Sequence, residues 1–65
     1  MEITLNRHLS VGYIRFNDLK ITKQEWTEDD IFVVDYDRFG SVVGVEILSI
    51  KRLIKLLEKE DEPTS

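Results

Sequence analysis

The chain of 65 residues has nine Lys and Arg against thirteen Asp and Glu, a formal net charge of −4, and no Cys. This composition excludes disulfides and thiolate metal sites, and the acidic balance argues against a protein held to nucleic-acid phosphates. A chain this short forms one domain that buries only about 60% of the surface it exposes when unfolded, so a partner surface would add stability.

The first three quarters of the chain is predicted to form β-strands, because short segments rich in β-branched and aromatic residues alternate with turn residues. We expect a meander of strands at residues 2–5, 12–17, 20–26, 31–36 and 42–48. Asn17 and Asp18 tolerate left-handed backbone conformations, so they predict a tight turn between the second and third strands.

After Ser49 the pattern becomes helical, and Ser49 is placed to cap the first turn. The apolar residues then follow at i, i+3, i+4 and i+7: Ile50, Leu53, Ile54 and Leu57. Pro63 cannot continue a helix, so residues 1–60 are predicted to form one α+β domain and residues 61–65 a frayed acidic tail. The predicted fold is a small antiparallel sheet of four to five strands followed by one C-terminal amphipathic helix packed on one face.

The segment DYDRFGSVVGVE, residues 35–46, has part of the spacing of a calcium-binding EF-hand loop. Its first, third, sixth and twelfth positions are Asp35, Asp37, Gly40 and Glu46. Phe39 at the fifth position brings no oxygen ligand, and the β-branched flanks suit strands rather than helices. We therefore expect a β-hairpin without a bound metal.

The hairpin turn is predicted at Asp37-Arg38-Phe39-Gly40, because Asp can bind the amides ahead of it and Gly can adopt the positive φ of a bulge. Two registers are open. The first pairs Asp37 with Ser41 and Val33 with Val45, and the second pairs Val34 with Val43 and Phe32 with Val45.

Alternation along both hairpin strands places apolar residues on both faces of the sheet. One helix covers only one face, and an uncovered apolar face usually marks a contact surface. We expect a second copy of the chain to cover it, because closed two-fold dimers are the commonest oligomers. The alternative is a monomer whose N-terminal strands fold over that face.

Few residues of the chain are candidates for a catalytic or ligand-binding role. His8, the single His, lies in a predicted surface loop, and nucleophilic catalysis needs an activated nucleophile beside a positioned base. Neither hairpin register places Asp35 opposite Glu46, as an acid–base pair would require. Tyr13 and Trp26 are expected in the core, with anchoring of a partner as the alternative. We therefore predict no enzyme activity, no catalytic residue and no cofactor.

A basic cluster of Lys51, Arg52, Lys55 and Lys59 is expected to be a solvated helix face, because acidic residues lie beside it. The N-terminal residues show no basic segment followed by an apolar run, and no stretch approaches the roughly 20 residues needed to cross a bilayer. We expect a cytoplasmic protein with neither a nucleic-acid nor a membrane partner.

Residues 33–48, VVDYDRFGSVVGVEIL, resemble the signature of a family of small prokaryotic proteins known as domain of unknown function 2283. The family pattern is a V-D-Y-D turn, a Gly and then V-G-I-E-I-L, and residues 12–16, GYIRF, are similar to its L-Y-I-R-L segment. Residues 6–11, NRHLSV, depart from the acidic stretch that members usually carry. The C-terminal helix is also longer and more apolar than the usual family ending.

The resemblance implies a compact α+β fold and no established activity, cofactor or catalytic residue. Some relatives resemble companions of small toxin proteins, which implies an antitoxin-like or regulatory role toward a small basic protein. From the residues, we expect a non-enzymatic interaction or homodimerisation module. The antitoxin-like role is the first alternative, and a carboxylate metal-binding protein using Asp35, Asp37 and Glu46 is the second.

Overall fold

The computed structural model describes residues 1–60, which form five strands and one helix. The elements are β1 (Glu2–Asn6), β2 (Val11–Arg15), β3 (Lys23–Trp26), β4 (Phe32–Tyr36), β5 (Val42–Ile47) and α1 (Ile50–Glu60). The predicted α+β class, an antiparallel sheet followed by one helix, is confirmed. The predicted acidic tail, residues 61–65, lies outside the described residues.

The strands form one antiparallel sheet in the order β1-β2-β5-β4-β3, so the predicted meander is wrong. β2 pairs with β5 instead of β3, and residues 16–22 pass β5 and β4 to reach β3. The predicted tight turn at Asn17 and Asp18 is therefore wrong as well. This connection is held by Asn17 Nδ2, which donates to Val42 O at 3.1 Å, and by Arg15 Nη2, which donates to Leu19 O at 3.0 Å.

The turn between β4 and β5 forms as predicted. Asp37 Oδ1 accepts hydrogen bonds from Phe39 N at 3.0 Å and Ser41 N at 2.8 Å. Asp37 N donates to Ser41 O at 2.9 Å, and Gly40 has a φ of 83°. The buried Asp37 carboxylate thus replaces the hydrogen bonds that the turn amides would otherwise make to water.

The β4–β5 ladder shifts by one residue just beyond this turn. Asp35 pairs with Gly44 and Val33 with Glu46, because Val43 is an extra residue in β5 at a β-bulge. Both predicted registers are therefore wrong for the body of the hairpin: the predicted pairs Val33–Val45 and Val34–Val43 do not form. A shift of one residue exchanges the two faces of a strand, so this bulge decides where every later side chain of β5 points.

The bulge separates apolar from polar side chains. One side of the sheet, the apolar face, has two apolar rows across β1, β2, β5 and β4: Ile3, Ile14, Val45 and Val34 in one, and Leu5, Gly12, Ile47 and Phe32 in the other. On the edge strand β3 the same side carries Glu25, which pairs with Val34 and ends the apolar face there. The opposite side, the mixed face, also has two rows: Glu2, Arg15, Gly44, Asp35 and Gln24, and then Thr4, Tyr13, Glu46, Val33 and Trp26. The prediction of two apolar faces is therefore wrong.

The helix α1 begins at the end of β5, and its predicted cap is confirmed, since Ser49 Oγ accepts a hydrogen bond from Arg52 N at 3.2 Å. Along α1, Leu53 and Leu56 are half-buried. Ile54 and Leu57, from its apolar stripe, remain 48% and 52% exposed. The predicted C-terminal helix is confirmed, but its apolar stripe is covered only in part, and the apolar face stays exposed at its β1 edge.

Asp37→Ala is expected to lower the free energy of unfolding by about 1–3 kcal/mol, because the amides of Phe39 and Ser41 lose their acceptor in a part-buried turn. Asp37→Asn keeps the side-chain oxygen and should lose less than half as much. Urea unfolding followed by circular dichroism measures both. Equal losses for the two variants would show that the accepted hydrogen bonds are not what the turn requires.

Candidate functional site

The mixed face carries a cluster of four polar side chains, one from each of four adjacent strands. These residues, termed the polar cluster, are Tyr13 of β2, Gln24 of β3, Asp35 of β4 and Glu46 of β5. Together with Arg15 and Ile21 they line an open depression of about 370 Å³. Strand pairing alone brings these residues together, because they are far apart in the chain.

A single amide links the two carboxylates of the polar cluster. Gln24 Nε2 donates to Asp35 Oδ1 at 2.9 Å and to Glu46 Oε2 at 3.2 Å. Asp35 is 1% exposed, and Glu46 is half-buried. Among the described residues the only salt bridge joins Lys23 to Glu25, so the buried Asp35 carboxylate is held by a neutral donor rather than by a cation.

Gly44 makes room for the Tyr13 ring. A Cβ atom at Gly44 would lie 2.6 Å from Tyr13 Oη and 2.7 Å from the Ile14 carbonyl oxygen, both too close for a side chain. The Tyr13 ring therefore crosses β5 at Gly44, the residue without a side chain in the neighbouring row, and this places its hydroxyl in the polar cluster. The Tyr13 hydroxyl is buried and makes no hydrogen bond within residues 1–60, although Asp35 is near enough to affect its pKa.

Burial and neighbouring negative charge shift two pKa values in the polar cluster. The pKa of Glu46 is raised, first by burial and then by the charge of Asp35 and a hydrogen bond that protonated Glu46 can donate to it. The pKa of Tyr13 is also raised, first by burial and then by Asp35. Both shifts favour the neutral forms of Glu46 and Tyr13 over their charged forms.

The polar cluster does not have the parts of a metal centre or of a nucleophilic site. Within the described part of the chain, no group of three or more His, Cys, Asp or Glu is arranged to hold a metal ion. Arg15, which borders the polar cluster, turns to the loop and donates to Asn17 O at 2.8 Å and Leu19 O at 3.0 Å. The arrangement provides side-chain hydrogen bonds that join β3 to β4 and β5, with the Tyr13 ring of β2 packed over Gly44.

A larger depression of about 510 Å³ lies beside the β4–β5 turn, between Thr22, Lys23, Tyr36 and Arg38. Asp37, the buried carboxylate that borders it, is already bound by the turn amides. This depression therefore offers less chemistry than the polar cluster.

The structure corrects the prediction for Asp35 and Glu46. They were expected to lie apart, but the bulge places them diagonally on the same face, where they share the Gln24 amide. The sequence pattern did not indicate Gln24 or Tyr13 as members. A glycine in the middle of a β-branched strand was the one available signal, since such a glycine often marks the close approach of another group.

The other candidate residues are placed more simply. His8 is exposed in the β1–β2 turn, as expected, and so are Lys51, Arg52, Lys55 and Lys59 on α1. Tyr13 is half-buried, but the prediction of a core position for Trp26 is wrong, since it is 61% exposed on the edge strand β3. An edge strand has a neighbour on one side only, which leaves one side of this indole uncovered.

The apolar face is the second surface that the fold leaves available. Ile3 and Leu5 on the edge strand β1 are 61% and 63% exposed, and Phe32, Val34, Val45 and Ile47 are half-buried. The face carries only apolar side chains across β1, β2, β5 and β4, and it is most exposed at its β1 edge. Apolar patches that span a whole sheet are rare on monomeric proteins and usually mark contact surfaces.

The family model described as "Protein of unknown function (DUF2283)" matches residues 11–51, well over half of the chain. The chain belongs to this family. The matched segment runs from β2 to the first turn of α1, so it includes the whole polar cluster and Gly44, while β1 and most of α1 lie outside it. Neither a curated protein nor a solved structure matches the chain. Membership of the DUF2283 family therefore brings no activity with it.

No helix within residues 1–60 has the length and apolar composition needed to span a membrane.

Glu46→Gln tests the polar cluster through pH. Because the folded-state pKa of Glu46 is raised, the protonated form contributes stability at low pH, and this contribution is lost as pH rises through the raised pKa. At neutral pH, Glu46→Gln is therefore expected to raise Tm by about 2–4 °C, and the difference from wild type should shrink toward pH 4.

The control is Glu28→Gln, which removes the same charge from an exposed loop position. Thermal unfolding of both variants between pH 4 and pH 8 makes the comparison. A lower Tm for Glu46→Gln at neutral pH, or a Tm difference from wild type that is the same at every pH, would contradict the claim that the ionised Glu46 carboxylate destabilises the fold.

Proposed function

We propose that this protein is a non-enzymatic interaction module that forms a homodimer through its apolar face. The observation that carries the proposal is the exposure of Ile3 and Leu5 at one end of an apolar surface that crosses four strands. Burial of apolar surface contributes about 25 cal/mol per Å² of favourable free energy, so this surface favours association.

The size of the apolar face supports a partner of similar size. The four strands that carry the apolar face, spaced by about 4.8 Å and each about 16 Å long, project roughly 310 Å² before the relief of the side chains is counted. Stable interfaces bury about 800 Å² on each partner, so the apolar face supplies a large part of one. A chain of 65 residues also gains more from such burial than a large protein does.

The polar cluster supports a structural role for the opposite side of the sheet. Gln24 binds both Asp35 and Glu46, and Arg15 beside them is occupied by loop carbonyls. The mixed face is therefore stabilised within one chain, whereas the apolar face is not. We place association on the apolar face for this reason, and the antitoxin-like role remains the alternative.

Sedimentation equilibrium of the purified chain at micromolar concentration tests the proposal. We expect a reversible species of twice the chain mass of 7.7 kDa. A single species of 7.7 kDa at every concentration would contradict homodimerisation, and a tight complex of that monomer with a basic partner would favour the antitoxin-like alternative.

A further inference from the structure

We infer that the two copies exchange their C-terminal helices, so that α1 of each chain lies across the apolar face of the other. This inference rests on the proposed function, because it names the element that covers the surface. Two incompletely covered surfaces of the same chain carry it: an apolar face whose Ile3 and Leu5 are exposed, and a helix whose Ile54 and Leu57 are exposed.

The direction of α1 is set at its root. Ile50 N donates to Ser10 O at 2.7 Å, and Lys51 N donates to Ser10 Oγ at 3.2 Å. Arg52 Nη2 donates to Asp29 O at 2.6 Å. Ser10 lies in the β1–β2 turn and Asp29 in the β3–β4 turn, so the first turn of α1 is fixed between two turns at one end of the sheet.

Past this root the helix is left with a half-exposed apolar stripe. Ile54 and Leu57 lie one and two turns along α1 and are 48% and 52% exposed, while the apolar face of the same chain is also exposed at its β1 edge. The radius of gyration is 13.6 Å, against about 11 Å expected for a compact chain of this length. The described fold is therefore more extended than one whose helix lies against its own sheet.

Charge favours contact between α1 and the sheet of another copy. Residues 50–60 contain four Lys and Arg against two Asp and Glu, whereas residues 1–49 contain five against nine. The helix is thus basic and the sheet body acidic. Opposite charge guides the approach of a helix to a sheet, while two acidic sheet bodies placed face to face repel each other.

The areas also favour exchange over direct stacking of two apolar faces. An 11-residue helix is about 16 Å long and about 10 Å wide. Direct stacking of two sheets would bury both apolar faces but leave the apolar stripes of both helices exposed. Reciprocal exchange buries the apolar face and the apolar stripe of α1 in each chain. Exchange therefore comes closer to the roughly 800 Å² per partner that stable dimers bury. It is also a closed two-fold arrangement, which limits association to two copies.

Paramagnetic labelling tests the exchange directly, because the chain has no Cys and one introduced Cys is labelled uniquely. Chains without ¹⁵N carry a spin label at Lys55→Cys, an exposed position of α1. They are mixed with ¹⁵N-labelled chains that have no spin label. We expect strong broadening of the Val34 and Val45 amide signals in the ¹⁵N chains. A dimeric sample without this broadening would overturn the exchange but leave the dimer intact.

A second set of variants checks the same contact by affinity. Ile54→Gln and Leu57→Gln are each expected to weaken the dimer at least tenfold, while Lys55→Gln changes it less than threefold. These positions are exposed in one chain, so the monomer fold should persist, and circular dichroism checks that the helix is kept. Equal affinities for all three variants would overturn the exchange, whereas a wild-type chain that is always monomeric would instead overturn the proposed function.

Discussion

Gly44→Ala is expected to destabilise the fold by about 3 kcal/mol, a large share of the stability of so small a domain. The added Cβ would lie 2.6 Å from Tyr13 Oη and 2.7 Å from Ile14 O. The ring can move away only by leaving the polar cluster, and the carbonyl only by distorting the β2–β5 ladder. Either movement destabilises the folded state by more than the Gly→Ala change stabilises it through the lower conformational entropy of the unfolded chain.

Gly12→Ala is the matched control, since Gly12 also lies in a central strand and its added Cβ would meet flexible side-chain ends instead. The nearest atoms are Leu5 Cδ2 at 3.0 Å, Ile47 Cδ1 at 3.5 Å and Thr4 O at 3.5 Å. Only the flexible end of Leu5 must move, so we expect a loss of less than about 1 kcal/mol. Adding Tyr13→Phe to Gly44→Ala should restore only part of the loss, because the contact with Ile14 O remains. Urea unfolding of the four proteins measures these differences, and equal losses for both glycines would contradict the account of Gly44.

Leu5→Lys is expected to weaken the homodimer by about a hundredfold. Leu5 is 63% exposed on the edge of the apolar face, so a charge there is tolerated by one chain but must be desolvated in a dimer that covers it. A loss of this size corresponds to about 2.7 kcal/mol, which is typical of a central interface residue.

Thr4→Lys is the matched control, because Thr4 is the exposed neighbour of Leu5 and points to the mixed face. It introduces the same charge into the same strand and should change the dimer affinity less than threefold. Sedimentation velocity over a dilution series compares the two variants, with urea unfolding as a check on the monomer. Equal weakening by both would show that the contact surface is not the apolar face.

Local pattern was enough to predict the strands, the helix and the two ends of the hairpin turn. Ser49 caps α1 and Asp37 binds the turn amides because these interactions involve residues within a few positions of each other. The strand order was not predictable in this way. Asn17 and Asp18 have turn-forming residue types, but β2 finds its partner in β5, and no local signal records that pairing.

The predicted register of the β4–β5 hairpin was wrong because of one residue. The turn predicts the Asp37–Ser41 pair correctly, but the extra residue Val43 moves every later pair by one. The hairpin was predicted to be apolar on both faces, but with this shift it has one apolar face and one mixed face. The polar cluster depends on the same residue, because Asp35 and Glu46 share a face only after the bulge is included.

The central claim is that the apolar face is covered by protein in solution, and methyl exposure measures it most directly. A soluble paramagnetic agent added to the methyl-labelled protein attenuates the signals of exposed methyl groups. We predict that the methyl signals of Ile3 and Leu5 are protected at high protein concentration and become attenuated on dilution, while the Thr4 methyl is attenuated throughout. Attenuation of Ile3 and Leu5 as strong as that of Thr4 at every concentration would contradict the account.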